Sequence, residues 1–168
     1  MKKGFTLIEV LVVFVIITLI STILIVNWRK NEKRYLVKRV AQEIVQNIRK
    51  AQDMSLNSYE HEGVVPDYSY GIYFDNGDQD KYMLFGDLNR NNTYQPSDIE
   101  IGEYLMETGT KINSLSSGVQ DLNITFSIPD GFTNIEPSAS SATITITKDD
   151  GTSGVDIVIL QTGQVNVQ

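Results

Sequence analysis

The hydrophobic positions along the chain follow three rules in succession. Residues 5–26 are an almost unbroken apolar run in which Glu9 is the one charged residue. As a helix this run would reach about 33 Å at ~1.5 Å per residue, enough to cross a ~30 Å hydrocarbon core. Beyond residue 27 the apolar residues narrow to a stripe. Val37, Val40, Ala41, Ile44, Ile48 and Ala51 recur at steps of three and four, while Lys33, Arg34, Lys38, Arg39, Arg49 and Lys50 fall largely off it. Neither glycine nor proline interrupts residues 5–57. The pattern predicts one long helix, transmembrane over residues 5–26 and amphipathic over residues 27–57.

Residues 57–69 read as a loop, with Gly63 and Pro66 as breakers and His61 solvated between Glu60 and Glu62. From Tyr70 onward the period falls to two. Tyr70, Ile72 and Phe74 alternate with Gly71 and Tyr73, a polar stretch containing Asn76-Gly77 follows, and residues 81–85 resume the strand pattern, which is a hairpin signal. Further strands are expected over residues 99–106, 122–128, 142–148, 155–161 and 164–167. Ala142, Ile144 and Ile146 should face a core, and Thr143, Thr145 and Thr147 solvent. The fold class expected is α+β: a long N-terminal helix packed on an antiparallel β-sheet body spanning residues 58–168.

Charge divides the chain the same way. Residues 27–60 hold eight Lys/Arg and four Asp/Glu, residues 61–168 hold four and sixteen, and the whole chain carries −7. So acidic a body argues against nucleic acid as a partner. The basic residues of the 27–57 segment have three possible uses: a solvated helix face, anionic lipid headgroups, or the acidic body of an adjacent subunit. With no cysteine, disulfides, zinc–thiolate sites and thiol catalysis are excluded, and a single histidine excludes a multi-histidine metal site. The acid pairs Asp78/Asp80 and Asp149/Asp150 fall in turn-like stretches, and no nucleophile motif or phosphate loop is present, so an enzyme is not expected.

The apolar run has chemistry of its own. Lys2 and Lys3 precede it and hold the N-terminus on the cytoplasmic side, while Trp28, Arg29 and Lys30 follow where an interfacial anchor would sit, placing the body outside the cytoplasm. A cleaved secretory signal has a shorter apolar core of ~7–15 residues and a small-residue site after it, whereas here the small residue, Gly4, lies before the run. Glu9 is the difficulty. An acidic side chain in hydrocarbon costs ~2.5–3.5 kcal/mol on insertion scales and should have a partner. If the chain is cut after Gly4, the new α-amine of Phe5 lies one helical turn from Glu9, and the two charges neutralise each other.

The stretch Lys3-Gly4-Phe5-Thr6-Leu7-Ile8-Glu9-Val10 resembles the class III signal of type IV pilins and type II secretion pseudopilins. The resemblance implies the type IV pilin fold and a structural filament subunit. Residues 1–4 would be a leader that a membrane prepilin peptidase removes between Gly4 and Phe5, methylating the Phe5 amine. The apolar helix would stay in the lipid bilayer until an inner-membrane assembly platform packs it with other pilin or pseudopilin subunits, Glu9 setting the register against a neighbour's Phe5 amine. Loss of Lys2 and Lys3 takes the side-chain charge from −7 to −9.

One segment has metal-like spacing. Residues 87–98 place oxygen side chains at positions 1, 3, 5 and 12 of a twelve-residue calcium loop, namely Asp87, Asn89, Asn91 and Asp98, with the Thr93 carbonyl at position 7 and Gln95 at position 9. Position 6 is Asn92 instead of glycine, and position 12 is Asp98 instead of the longer glutamate, with Glu100 nearby. Pro96 argues for a loop between strands. Two carboxylates imply weak binding, ~10⁻⁴–10⁻³ M, and an Asn-rich turn held by its own side-chain hydrogen bonds is the alternative. Residues 82–98, with a strand ending in Phe85 that runs into an Asp-x-Asn-x-Asn loop, also resemble the H-type minor pseudopilin (GspH/FimT) domain family, as do residues 162–167. That resemblance implies a minor subunit. Its DNA-binding members carry arginines in the final turn, where this chain has Gln164 and Asn166, so a DNA-binding minor pilin of natural competence is the alternative function.

Overall fold

The computed structural model describes residue 4, residues 6–61, residue 63 and residues 68–168, and among these the side chains of residues 23–33 and 117 are outside the description. Among the described residues one α-helix, α1, runs Leu7–Leu56 over 50 residues, and a short 3-10 helix covers Ser116–Gly118. The chain divides into two compact units, Met1–Tyr35 and Leu36–Gln168. In the first, every described side chain from Thr6 to Thr22 is exposed, among them Leu7, Ile8, Phe14 and Leu19. Within this helix the hydroxyls satisfy themselves: Thr18 Oγ1 donates to the Phe14 carbonyl at 2.6 Å, and Thr22 Oγ1 to the Thr18 carbonyl at 2.8 Å.

The second unit contains the rest of α1 and, among the described residues, nine strands. These are β1 (Ser69–Asp75), β2 (Lys81–Asp87), β3 (Ile99–Leu105), β4 (Thr110–Leu115), β5 (Asp121–Ser127), β6 (Thr133–Glu136), β7 (Ser141–Lys148), β8 (Gly154–Leu160) and β9 (Val165–Val167). They form two sheets, ordered β3-β2-β1-β5-β6 and β4-β7-β8-β9, with every neighbouring pair antiparallel. The α+β architecture is as the sequence patterns require, but one expected sheet is two. The predicted stripe of α1 is fully used: Val37, Val40, Ala41, Ile44, Ile48 and Ala51 are all buried, joined by Val45 and Met54. They share one core with Tyr70, Ile72 and Phe74 of β1, Leu84 of β2, Ile124 and Phe126 of β5, and Ile144, Ile146, Ile157 and Ile159 of the second sheet. Polar ties fix this segment to the first sheet and to the turn between β3 and β4. Asn47 Nδ2 donates to Tyr82 Oη at 2.7 Å, Lys50 Nζ donates to Tyr104 Oη at 3.2 Å, and Arg39 pairs with Glu107. Two of the basic residues thus have partners within their own chain.

Two strands escape the sequence pattern. In β4 the register against β7 shifts between Ile112 and Ser114, so its buried apolar residues, Ile112 and Leu115, stand three apart and the alternation is broken. Strand β6 is four residues long and contributes one large apolar side chain, Ile135. The threonines of β7 also differ from expectation: Thr147 is buried against the expected solvent face, and its hydroxyl has no hydrogen-bond partner among the described residues.

Candidate functional site

Two regions carry the predicted site residues. The first is the start of α1. Gly4 is exposed, and Phe5, with Lys2 and Lys3, lies outside the described residues. So does the predicted pairing of its amine with Glu9, and so do the side chains of Trp28, Arg29 and Lys30. Glu9 has a different partner in the structure. Thr6 is the residue before the first helical turn, and its backbone N–H donates to Glu9 Oε2 at 3.0 Å and its hydroxyl to the same oxygen at 3.1 Å. In return the Glu9 N–H donates to Thr6 Oγ1 at 3.3 Å. This is a capping box: Thr-x-x-Glu satisfies two of the backbone donors that every helix start leaves orphaned. Thr6 is a capping residue the sequence reading missed, and the Thr6-Leu7-Ile8-Glu9 spacing is the signal that would have found it. Among the described residues no helix is long and apolar enough to cross a membrane.

The second region is the loop of residues 87–98, which connects β2 to β3 as Pro96 implied. Asp87 is fully buried and Asp98 nearly so. Asp87 Oδ1 accepts the N–H groups of Asn89 at 2.9 Å and Arg90 at 2.8 Å, and its Oδ2 accepts that of Asn92 at 2.9 Å. Asn89 Oδ1 accepts from Asn91 N–H at 3.2 Å, and Asn91 Oδ1 from Thr93 N–H at 2.9 Å. Asp98 closes the loop by accepting Leu88 N–H at 3.2 Å and Gln95 N–H at 2.8 Å. Asn92 sits at φ +60° and Arg90 at φ +65°, so the position that normally demands glycine takes the left-handed conformation with asparagine. The predicted ligands Asp87, Asn89, Asn91 and Asp98 are therefore brought together, and their oxygens hold backbone donors. Glu100 accepts a hydrogen bond from Tyr94 Oη instead of joining them. Among the described residues no three Asp, Glu or His side chains converge to hold a metal ion.

The loop also has a packing role. It folds over the face of the first sheet opposite α1, where Tyr94 N–H donates to Asn123 Oδ1 at 2.8 Å and Thr125 Oγ1 donates to Asn92 Oδ1 at 3.0 Å. Beneath it Phe85 is fully buried and meets Tyr94 edge-on, with ring centroids 5.4 Å apart. Burial, aided by the hydrogen bond and charge of Glu100, pushes the Tyr94 hydroxyl up to about 12. His61, expected in open solvent, is half-buried.

Comparison with known protein families finds the prokaryotic N-terminal methylation motif at residues 1–25. Comparisons with curated proteins and with solved structures found no match. The motif supports a prepilin-type subunit of pili or pseudopili, processed by a prepilin peptidase, anchored in a membrane and then carried into a filament with other subunits.

Proposed function

We propose that the chain is a structural, minor subunit of a type II secretion pseudopilus or a type IV pilus, of the H type, cleaved after Gly4 and N-methylated on Phe5. The observation that supports this reading is the exposed, largely apolar surface of residues 6–22, which lies within the methylation motif. A helix apolar on all sides needs a cover, which is lipid before assembly and the helices of neighbouring subunits after it. On this reading residues 5–26 span the bilayer, and Glu9 exchanges its Thr6 cap for a neighbour's amine as the filament forms. The test is Glu9→Ala and Thr6→Ala in the native host. Glu9→Ala should abolish filament assembly or secretion with the protein still present at normal levels. Thr6→Ala, which removes only the cap, should cost about 0.5–2 kcal/mol of helix stability and leave assembly standing. Normal assembly with Glu9→Ala overturns the reading.

The same proposal includes weak calcium binding at residues 87–98. The side-chain oxygens of Asn89, Asn91 and Asp98 keep lone-pair capacity beyond their backbone hydrogen bonds, whereas Asp87 would have to give up part of its four-donor shell. Calorimetry on the detergent-solubilised full chain should show heat and a raised Tm at millimolar calcium, and neither in Asp98→Ala. The DNA-binding alternative has a body with four Lys/Arg against sixteen Asp/Glu to overcome, and a gel shift at low salt would promote it.

A further inference from the structure

The turn between β1 and β2 contains Asn76-Gly77, the one Asn-Gly step in the chain, and the filament role makes no use of it. Asparagine before glycine has a reaction of its own, because no Cβ on the next residue hinders its backbone nitrogen. The Gly77 nitrogen bonds to Asn76 Cγ, the Cγ–Nδ2 bond breaks, and Nδ2 leaves as ammonia with the proton that the Gly77 nitrogen gives up. Water then opens the cyclic imide to aspartate or isoaspartate, leaving one new carboxylate. The closed turn opposes both halves of the first step. Gly77 N–H donates to Asp75 Oδ1 at 2.6 Å, so the proton that must leave is held by an anion. Asn76 Oδ1, where negative charge develops as the nitrogen adds, is buried with no hydrogen-bond partner among the described residues. An oxyanion is stabilised by donors aimed at it, and here it has none and stands one residue from the Asp75 carboxylate. The backbone is tied as well: Asn76 N–H donates to the Gln120 carbonyl at 2.8 Å, and Asp78 N–H to the Asp75 carbonyl at 3.2 Å. Gln120 Nε2 holds Asp75 Oδ1 in place at 3.2 Å. A Cβ on Gly77 would stand 3.0 Å from both Asp75 Oδ1 and Gln120 Nε2, so the glycine that makes the step reactive also lets the locking contacts close.

We propose that Asn76 is a deamidation site gated by the fold: inert in the closed turn, reactive once the turn opens. Attack needs the Gly77 nitrogen released from Asp75 and a donor, water, brought to Asn76 Oδ1, and both come only with local opening. The product does not fit back. Either form carries a carboxylate where an uncharged oxygen lies buried without a donor. Asp75 and Asp78 flank that position, and Asp121 of β5 pairs across from Asp75. Lys81 is already shared by Asp78 and Glu103, at 3.3 and 3.1 Å. Isoaspartate also adds one carbon to the backbone inside the turn, which pulls the Asp78 N–H away from the Asp75 carbonyl. The change is therefore one-way, and it marks chains whose β1–β2 turn has opened. The site does not depend on the filament reading, and its failure is separate from that of the Glu9 experiment.

The test incubates the full chain at one mildly alkaline pH, folded in nonionic detergent and unfolded in guanidinium chloride. Peptide mapping by mass spectrometry follows aspartate and isoaspartate at position 76 over time. The folded chain should convert slower by about tenfold or more. Asp75→Asn keeps an acceptor for the Gly77 N–H and removes the charge. It should speed conversion in the folded chain and leave the unfolded rate nearly unchanged. Should that variant lose its fold, hydrogen exchange on the unaltered chain replaces it: folding should slow conversion at least as much as it slows exchange of the Gly77 amide. Asn76→Asp, which installs the charge of the product, should lower the Tm. Equal rates in the folded and unfolded chains overturn the proposal. So does a folded rate that Asp75→Asn leaves unchanged, or one slowed less than Gly77 exchange. An unaltered Tm in Asn76→Asp overturns the one-way character of the change.

Discussion

The two halves of α1 are the same kind of structure under opposite demands. Residues 7–22 are apolar in every direction and have no cover, with Leu7 83% exposed. Residues 37–54 are apolar along one stripe, and Ile44, Ile48 and Ala51 on that stripe are 0% exposed. The difference lies in how many faces must be hidden. A stripe is satisfied within the chain by two sheets. A full apolar surface can be satisfied only by something outside it, and the polar groups in that half behave accordingly: Thr18, Thr22 and Glu9 are all bonded within their own helix. The amphipathic half builds the body, and the apolar half leaves a surface for something outside the chain to cover.

The comparison is broken most forcefully by one substitution placed in each half. Ile48→Ala should cost about 2–5 kcal/mol, the loss of buried methyl groups plus the cavity left behind. Ile16→Ala has the same chemistry on a surface the chain itself leaves bare, and should change unfolding of the body by less than ~0.5 kcal/mol. Urea melts of both variants in detergent, followed by the single tryptophan-independent signal of the sheets in far-UV circular dichroism, give the two numbers. Similar losses in both would mean that residues 7–22 have a cover within the chain after all.

A smaller effect separates the two faces of the first sheet. Gly71 lies on the face away from α1, and a Cβ there would stand 2.6 Å from Thr125 Cγ2, 2.8 Å from the Ile124 carbonyl oxygen and 3.0 Å from Phe85 Cε1. One of these neighbours is backbone and cannot yield cheaply. Gly71→Ala should cost about 1–3 kcal/mol through overpacking and loosen the 87–98 loop above it. Thermal melts with amide hydrogen exchange of residues 88–97 are the check, and a neutral outcome would show the loop side to be softer than the helix side.

What the sequence makes legible follows the same division. Periods of 3.6 and 2 expose α1 and seven of the nine strands, most cleanly β7 and β8, where buried apolar residues alternate with less buried ones along most of the strand. Strand β4 is hidden by its bulge and β6 by its brevity. The division into two sheets is invisible because it depends on which strands pair, not on how each one alternates. At the helix start, Gly4 and Glu9 stand out by their oddity, whereas Thr6 does not: a threonine in an apolar run looks inert until its spacing to Glu9 is counted. The 87–98 loop shows its ligand spacing plainly, but not that Asp87 and Asp98 are buried to hold backbone donors.

The mildest test at neutral pH concerns the more buried of the two tyrosine hydroxyls that tie α1 to the first sheet. Tyr82→Phe keeps the stack with Phe74 and Tyr104, whose centroids lie 5.5 and 5.3 Å away, and deletes only the bond from Asn47. The cost should be about 0.5–1.5 kcal/mol. At high pH the gap narrows in the variant's favour. Burial raises the Tyr82 hydroxyl well above its ordinary value, and raises Tyr70 to about 12. The folded state therefore keeps protons that the unfolded chain begins to release near pH 10. The stabilisation these groups contribute is complete below pH 10 and is lost as pH climbs toward 12 and beyond. Unfolding free energies measured at pH 8, 10 and 11.5 should fall in the unaltered chain and fall less in Tyr82→Phe, so that the two curves converge. Residues 7–22 contain no tyrosine, and their helicity should stay level over the same range. A parallel loss there would mean that the two halves of α1 melt as one, and that the contrast between them ends at composition.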